Sequence, residues 1–178
     1  MFIPGFVISI LTFPGVIVHE FAHLLFCRIF KVAVFDVCFF QFANPAGYVL
    51  HETPRKVWHH VMIGVGPFFT NTIIGTLIAI PAVYAFRESS DPSLVYYLLF
   101  YFGVSIAMHS FPSTGDANSI WNAVYDNSEN ASAGIKIIAA PILILIYLGA
   151  FGSILWLDLL YGVGVTRFFA NMLLKGAV

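Results

Sequence analysis

Long apolar runs separated by short polar segments dominate the pattern of residues along the chain. A helix needs roughly 20 predominantly apolar residues to cross the hydrocarbon core of a bilayer. The pattern predicts an all-α polytopic membrane protein with four transmembrane helices, at residues 2–27, 61–86, 93–108 and 135–160. Residues 162–175 form either an interfacial helix or a short fifth span.

Proline and glycine interrupt the first and the last of these spans. Pro4 and the Pro14–Gly15 pair loosen the first helix, and we expect a break at Pro14 because proline removes a helical hydrogen bond. Such a break admits water to the segment that follows it. Bends are also expected in the fourth span at Pro141 and at residues 149–152.

Residues 32–50 have a different character, because they are rich in β-branched and aromatic side chains. A turn signal lies at residues 44–47, where the sequence is Asn-Pro-Ala-Gly. Together these features predict a β-hairpin after the first span. Both of its faces are apolar, so we expect it to be buried in protein or to lie at the membrane surface. The alternative is an irregular loop.

Composition supports the interpretation that a lipid bilayer surrounds the chain. Hydrophobic residues make up 60% of the sequence and the mean hydropathy is +0.89. Charged residues make up 10%, against about 25% in ordinary soluble domains. A net charge of −1 argues against nucleic acid as a partner. Repeats and long linkers are absent from the sequence, so residues 1–178 are interpreted as one membrane domain.

The first span contains the sequence His19-Glu20-Phe21-Ala22-His23. Residues four apart lie on one face of a helix, so the two histidines can offer two imidazole nitrogens to one metal ion. Glu20 lies beside them, where it can take a proton from a water molecule that the metal activates. Ionisable groups inside hydrocarbon are costly and are presumed to be functional. The motif therefore predicts a catalytic metal site inside the membrane.

A third protein ligand is required, and several residues are candidates. Asp116 follows the third span, and Gly115 before it lets the backbone turn the carboxylate back toward the membrane. Its other role is to cap a short helix at residues 117–125. His109 ends the third span and is either a ligand or a group that orients one. His51 and Glu52 are also candidate ligands. Their polarity is explained, however, if residues 51–60 form a solvated belt at the membrane interface.

Basic residues give the orientation of the spans. Four of them lie between the first and second spans, namely Arg28, Lys31, Arg55 and Lys56. That loop is therefore expected on the cytoplasmic side, and three spans place residues 109–134 on the same side. The histidine motif and Asp116 can then meet near the cytoplasmic face. Residues 126–134 are expected to form an exposed loop.

The chain resembles the site-2 protease family of intramembrane zinc metalloproteases. The resemblance covers a core at residues 10–120, followed by C-terminal helices at 135–175. Four features carry it in order: the HEFAH motif in a span, a hairpin region ending in Gly47-Tyr48-Val49, a Gly66-Pro67 pair followed by Asn71, and Pro112 followed by Asp116. The chain has Thr-Gly-Asp-Ala-Asn where the family usually has Leu-Asp-Gly. It therefore resembles a divergent, minimal member without a PDZ domain.

The resemblance implies an activity and a set of roles. It implies that Zn²⁺ is bound by His19, His23 and Asp116 and that Glu20 activates water. Residues 32–50 are implied to pair with unwound substrate, a membrane protein or membrane-associated peptide cut within or next to the bilayer. Asn71 is either a helix–helix hydrogen-bond donor or an active-site donor. The alternative function is a non-proteolytic membrane metal-binding protein, or a pseudoprotease that acts as an interaction partner.

Overall fold

The computed structural model describes residues 5–126 and 132–175. These residues are mostly helical and form seven α-helices and one two-stranded sheet. In chain order the elements are α1 Gly5–Leu11, α2 Phe13–Ile29, β1 Val34–Cys38, β2 Tyr48–His51, α3 Val57–Glu88, α4 Leu94–Met108, α5 Thr114–Trp121, α6 Ala133–Gly152 and α7 Leu157–Lys175. A π-helical turn, Asn122–Asp126, extends α5. The prediction of a helical chain with a hairpin after the first helix is confirmed.

By length and composition, three helices in the described part of the chain can cross a membrane: α3, α6 and the Leu157–Leu174 part of α7. Helices α1 and α2 add a fourth span only if the bent pair counts as one. Helix α4 has 15 residues and is shorter than a usual span. The apolar pattern therefore predicted membrane-type helices correctly. The number of times that the chain crosses a membrane stays a prediction.

The first apolar run, predicted as one span at residues 2–27 with a break at Pro14, is broken at Thr12. Helices α1 and α2 meet at 92° on either side of Thr12. Pro14 lies in the first turn of α2, where a helical N–H would lack a partner in any case. The chain therefore breaks two residues before the expected position, and α2 starts afresh ahead of the histidine motif. Residues 1–4, which include Pro4, lie outside the described residues.

The C-terminal helices also differ from the prediction. The run expected at 135–160 ends at Gly152, within the bend predicted at residues 149–152, and a 3₁₀ turn at Ser153–Leu155 follows it. Trp156 then takes a left-handed conformation with φ of 62°, which ends one helix and lets the next leave in a new direction. Residues 162–175 are therefore part of α7 rather than a separate element. Helix α6 continues through Pro141. Most of the loop predicted at 126–134 lies outside the described residues.

The hairpin is antiparallel, with Cys38 opposite Tyr48 and Val34 opposite His51. A bulge interrupts the pairing between Val34 and Asp36. The predicted turn residues 44–47 lie within a longer connection between the strands. Both strands pack against α2, so the hairpin lies next to the helix that carries the histidine motif.

Helix α3 lies at the centre of the fold, packed against α2, α4 and α7. Small residues allow the close approach. A Cβ atom on Gly75 would lie 2.6 Å from the carbonyl oxygen of Gly103, and one on Gly15 would collide with that of Ser105. These contacts bring the backbone of α4 close to those of α2 and α3.

Candidate metal centre

Two helices that are far apart in the sequence bring His19, His23 and Asp116 together. The histidines lie one turn apart on α2, and Asp116 lies in the first turn of α5. Each residue offers one ligand atom, and these atoms all lie within 4.8 Å of one another. His19 and His23 are buried, at 8% and 7% exposed. The structure thus assembles the three residues that the sequence proposed as ligands.

The ligand atoms are near enough to one another for a single metal ion to contact all three residues. The two Nε2 atoms of His19 and His23 lie 3.1 Å apart. An Asp116 oxygen lies 3.4 Å from Nε2 of His23, and the other lies 3.8 Å from Nε2 of His19. A tetrahedral zinc ion with bonds of about 2.0–2.2 Å separates its ligand atoms by roughly 3.3–3.6 Å. Two imidazoles and one carboxylate also leave a fourth position for water, as in catalytic zinc sites.

Backbone carbonyls set the orientation of both imidazoles. Nδ1 of His19 donates to the carbonyl of His109 at 2.8 Å, and Nδ1 of His23 donates to the carbonyl of Ile63 at 2.9 Å. A carbonyl only accepts, so each ring carries a proton on Nδ1 and presents Nε2 to the cluster. Two lone pairs this close repel each other unless a proton or a cation lies between them. The site can therefore hold either a shared proton or a metal ion.

Asp116 caps α5 and faces the histidines at the same time. Ser113, not Asp116, is the N-cap residue, and the two form a capping box. One Asp116 oxygen accepts from the N–H and the hydroxyl of Ser113, both at 2.7 Å. The other is the oxygen nearest His23. The predicted helix at 117–125 is therefore corrected to one that begins at Thr114. Among the described residues no glycine has positive φ, so Gly115 does not supply the expected turn.

The charge state of Asp116 suits a metal ligand. Burial alone would raise the pKa of its carboxyl, but the neighbouring imidazoles of His23 and His19 outweigh burial and hold the pKa well below its ordinary value. The carboxylate is therefore ionised at neutral pH, as metal coordination requires.

Glu20 lies beside the cluster without being part of it. The residue is 8% exposed and lines the same cavity as the two histidines and Asp116. Its carboxylate makes no hydrogen bond to any residue that the structure describes. The hairpin covers it closely, since a Cβ atom on Gly47 would lie 2.7 Å from Cγ of Glu20. Glu20 is thus an unengaged carboxylate next to a place where a metal and a water molecule fit.

The cavity beside these residues has a volume of about 910 Å³. Its walls come from α1, the end of the hairpin, the α4–α5 connection and the start of α7. That volume is at the upper end of the range for ligand pockets in proteins. The cavity therefore has room for a short segment of a peptide chain next to Glu20.

The other candidate ligands do not join the cluster. The ring of His109 turns away, with Nδ1 3.0 Å from the carbonyl of Ser105 and Nε2 3.5 Å from the Thr12 hydroxyl. His109 does orient His19, as one prediction allowed, but through its backbone carbonyl rather than its ring. Nδ1 of His51 donates to the carbonyl of Glu52, and Glu52 is exposed.

Asn71 links three helices at the level of the cluster. It is fully buried, and its Nδ2 lies 3.3 Å from the carbonyl of Gly15, 3.2 Å from that of Ile106 and 3.1 Å from that of His109. The first of these carbonyls is on α2, the second is on α4, and the third closes α4. Asn71 is thus a helix–helix donor and also touches the carbonyl that holds His19.

Sequence reasoning missed three contributors to the site. Ser113 supports Asp116, and the pattern Ser-x-x-Asp of a capping box was the signal that could have found it. His60 was assigned to a solvated belt, whereas it is 8% exposed with Nε2 2.7 Å from the Ser119 hydroxyl. The third is the carbonyl of Ile63, and Pro67 four residues later was the signal that could have found it, because proline lacks the N–H that would bond to this carbonyl.

The fold and the site together define a helical protein with long apolar helices and a buried cluster of two histidines and one carboxylate. Comparison with protein families, with curated proteins and with solved structures finds none that matches this chain. A statement about function therefore depends on the residues and geometry of the chain itself.

Proposed function

We propose that the protein is an intramembrane zinc metalloprotease of the site-2 protease type, which hydrolyses peptide bonds of membrane proteins within or next to the bilayer. One observation supports this most strongly. Ligand atoms of His19, His23 and Asp116 converge within 4.8 Å of one another, and the unengaged Glu20 lines the same cavity. A site that only stores metal does not need a carboxylate at this position.

His19, His23 and Asp116 would hold the zinc ion. When bound, zinc would make water more acidic and would polarise a peptide carbonyl. Glu20 takes the proton from the attacking water and returns it to the amine that leaves. Burial among apolar helices limits competing water and strengthens these interactions, because the local dielectric constant is low.

The chain crosses the membrane with its active site near the cytoplasmic face. In this arrangement α1 and α2 form one bent span, α4 crosses as a short span between α3 and α5, and α6 and α7 cross after them. The four basic residues between α2 and α3 place that segment in the cytoplasm. The proximity of His19 and His23 to Asp116 supports the arrangement. It requires the motif on α2 and the start of α5 to lie near the same face of the membrane.

Glu20→Gln tests this function directly. The change keeps the size of the side chain and removes the base, so we expect about one zinc per chain with cleavage reduced by about 10²–10⁴-fold. Cleavage is measured as new amino termini released from the proteins of a membrane fraction, which does not require an identified substrate. His19→Ala is the control that should lose zinc and cleavage together. Unchanged cleavage by Glu20→Gln would refute the mechanism and leave the non-proteolytic metal-binding alternative.

A further inference from the structure

Pro67 lies inside α3, close to the metal centre. In an α-helix the N–H of each residue bonds to the carbonyl four residues earlier. Proline has no N–H, so the carbonyl of Ile63 is left without its ordinary helical partner. Ile63 is 1% exposed, and a buried carbonyl without a donor is unfavourable. The Ile63 carbonyl therefore needs a donor from elsewhere in the protein.

His23 supplies that donor. Its Nδ1 lies 2.9 Å from the Ile63 carbonyl oxygen, and both groups are buried. Gly66 brings the two helices close enough for this contact, since a Cβ atom there would collide with the ring of Phe26 on α2. The Gly66–Pro67 pair thus has two effects. Gly66 lets α2 pack closely against α3, and Pro67 leaves the Ile63 carbonyl free to accept from His23.

The second imidazole is held in the same way. If α4 continued, the N–H of Ser113 would bond to the carbonyl of His109. Instead that N–H donates to an oxygen of Asp116 at 2.7 Å, and the His109 carbonyl accepts from Nδ1 of His19 and from Asn71. Each metal-facing histidine is therefore oriented by a carbonyl that its own helix does not use.

We propose that Pro67 is a positioning residue of the metal centre. By lacking an N–H, it reserves the Ile63 carbonyl for His23 and so directs Nε2 of His23 at the metal. This inference depends on the metal-binding part of the proposed function and not on proteolysis. Partners that orient metal-binding histidines are worth about 10–100-fold in metal affinity, so the effect is large enough to measure.

The test is the zinc affinity of the purified full-length protein, measured by competition with a chelator. Pro67→Ala restores an N–H that competes with His23 for the Ile63 carbonyl, and we expect zinc affinity to fall by about 10–100-fold. Pro81→Ala is the matched control, because Pro81 lies in the same helix on an exposed position. The zinc affinity of Pro81→Ala should equal that of the wild type.

A second variant separates the N–H from the proline ring. Lactic acid at position 67 has the side chain of alanine and an ester oxygen in place of the N–H, so it should restore the affinity that Pro67→Ala loses. Equal weakening by both changes would overturn the inference, as would unchanged affinity in Pro67→Ala. Zinc binding by His19→Ala as tight as by the wild type would instead refute the metal centre itself.

Discussion

Gly47→Ala should separate catalysis from metal binding, because the three atoms nearest to a Cβ at position 47 include one of Glu20 and none of the proposed ligands. A Cβ atom at this position would lie 2.7 Å from Cγ of Glu20, 3.0 Å from the carbonyl oxygen of Phe39 and 3.1 Å from that of Cys38. Ordinary contacts begin at 3.4 Å, so the new methyl group is about 0.7 Å too close to Glu20. The carbonyl oxygens of Phe39 and Cys38 limit how far residue 47 can shift within the hairpin.

The displacement is large on the scale that catalysis tolerates. A general base must lie within hydrogen-bond reach of the proton that it takes, and a misplacement of about 1 Å can cost roughly 10²-fold in rate. We therefore expect Gly47→Ala to reduce cleavage by about 10²-fold. Zinc content should stay at the wild-type level, because none of the three nearest atoms belongs to His19, His23 or Asp116.

The assay measures zinc per chain and the release of new amino termini in one preparation. Gly164→Ala is the matched control, because a Cβ atom at Gly164 would meet nothing within 4 Å. It should behave like the wild type in both measurements. If Gly47→Ala and Gly164→Ala cleave at the same rate, Glu20 is not the positioned base. Loss of zinc in Gly47→Ala would show that the hairpin supports the ligands rather than the base.

Two further predictions concern the third ligand and the topology. Asp116→Ala should lose zinc, whereas His109→Ala should retain it, since the ring of His109 faces away. The zinc content of each purified variant checks this, and the reverse result would mean that the third ligand is misassigned. Single cysteines at Thr53 and Asn122, in a chain whose native cysteines are serine, should react with an impermeant reagent from the cytoplasmic face only, and one at Ser90 from the opposite face. Labelling of Thr53 and Asn122 from different faces would contradict the proposed crossings.

The elements that local patterns control were predictable. His19 and His23 share a face because a helix returns to the same side after four residues, whatever surrounds it. The hairpin at 32–50 followed from β-branched and aromatic residues on both sides of a turn signal. Membrane-type helices followed from the length and the composition of the apolar runs. Each of these inferences needs only residues that are close together in the sequence.

Breaks inside apolar runs were less predictable, because hydropathy does not distinguish a continuous helix from a bent one. The 92° bend falls at Thr12 rather than at Pro14, since proline is accommodated in the first turn of α2. The run at 135–160 is divided at Trp156, whose left-handed conformation is rare for a large side chain. Pro14 and the glycines at 149 and 152 indicated bends nearby, but they fix neither the exact position nor the angle of either break.

The sequence by itself determined which side chains could bind a metal, and only the tertiary structure decided how they are held. Whether Asp116 or His109 approaches the histidines depends on where α4 ends and how α5 packs, which are contacts between residues about 90 apart in the chain. The carbonyls of Ile63 and His109 orient the imidazoles; Pro67 marks the first as free in a helix, whereas nothing in the sequence marks which histidine it receives or that the His109 carbonyl is free. Packing determines which donors reach these carbonyls, because His19, His23 and Asn71 come from other helices.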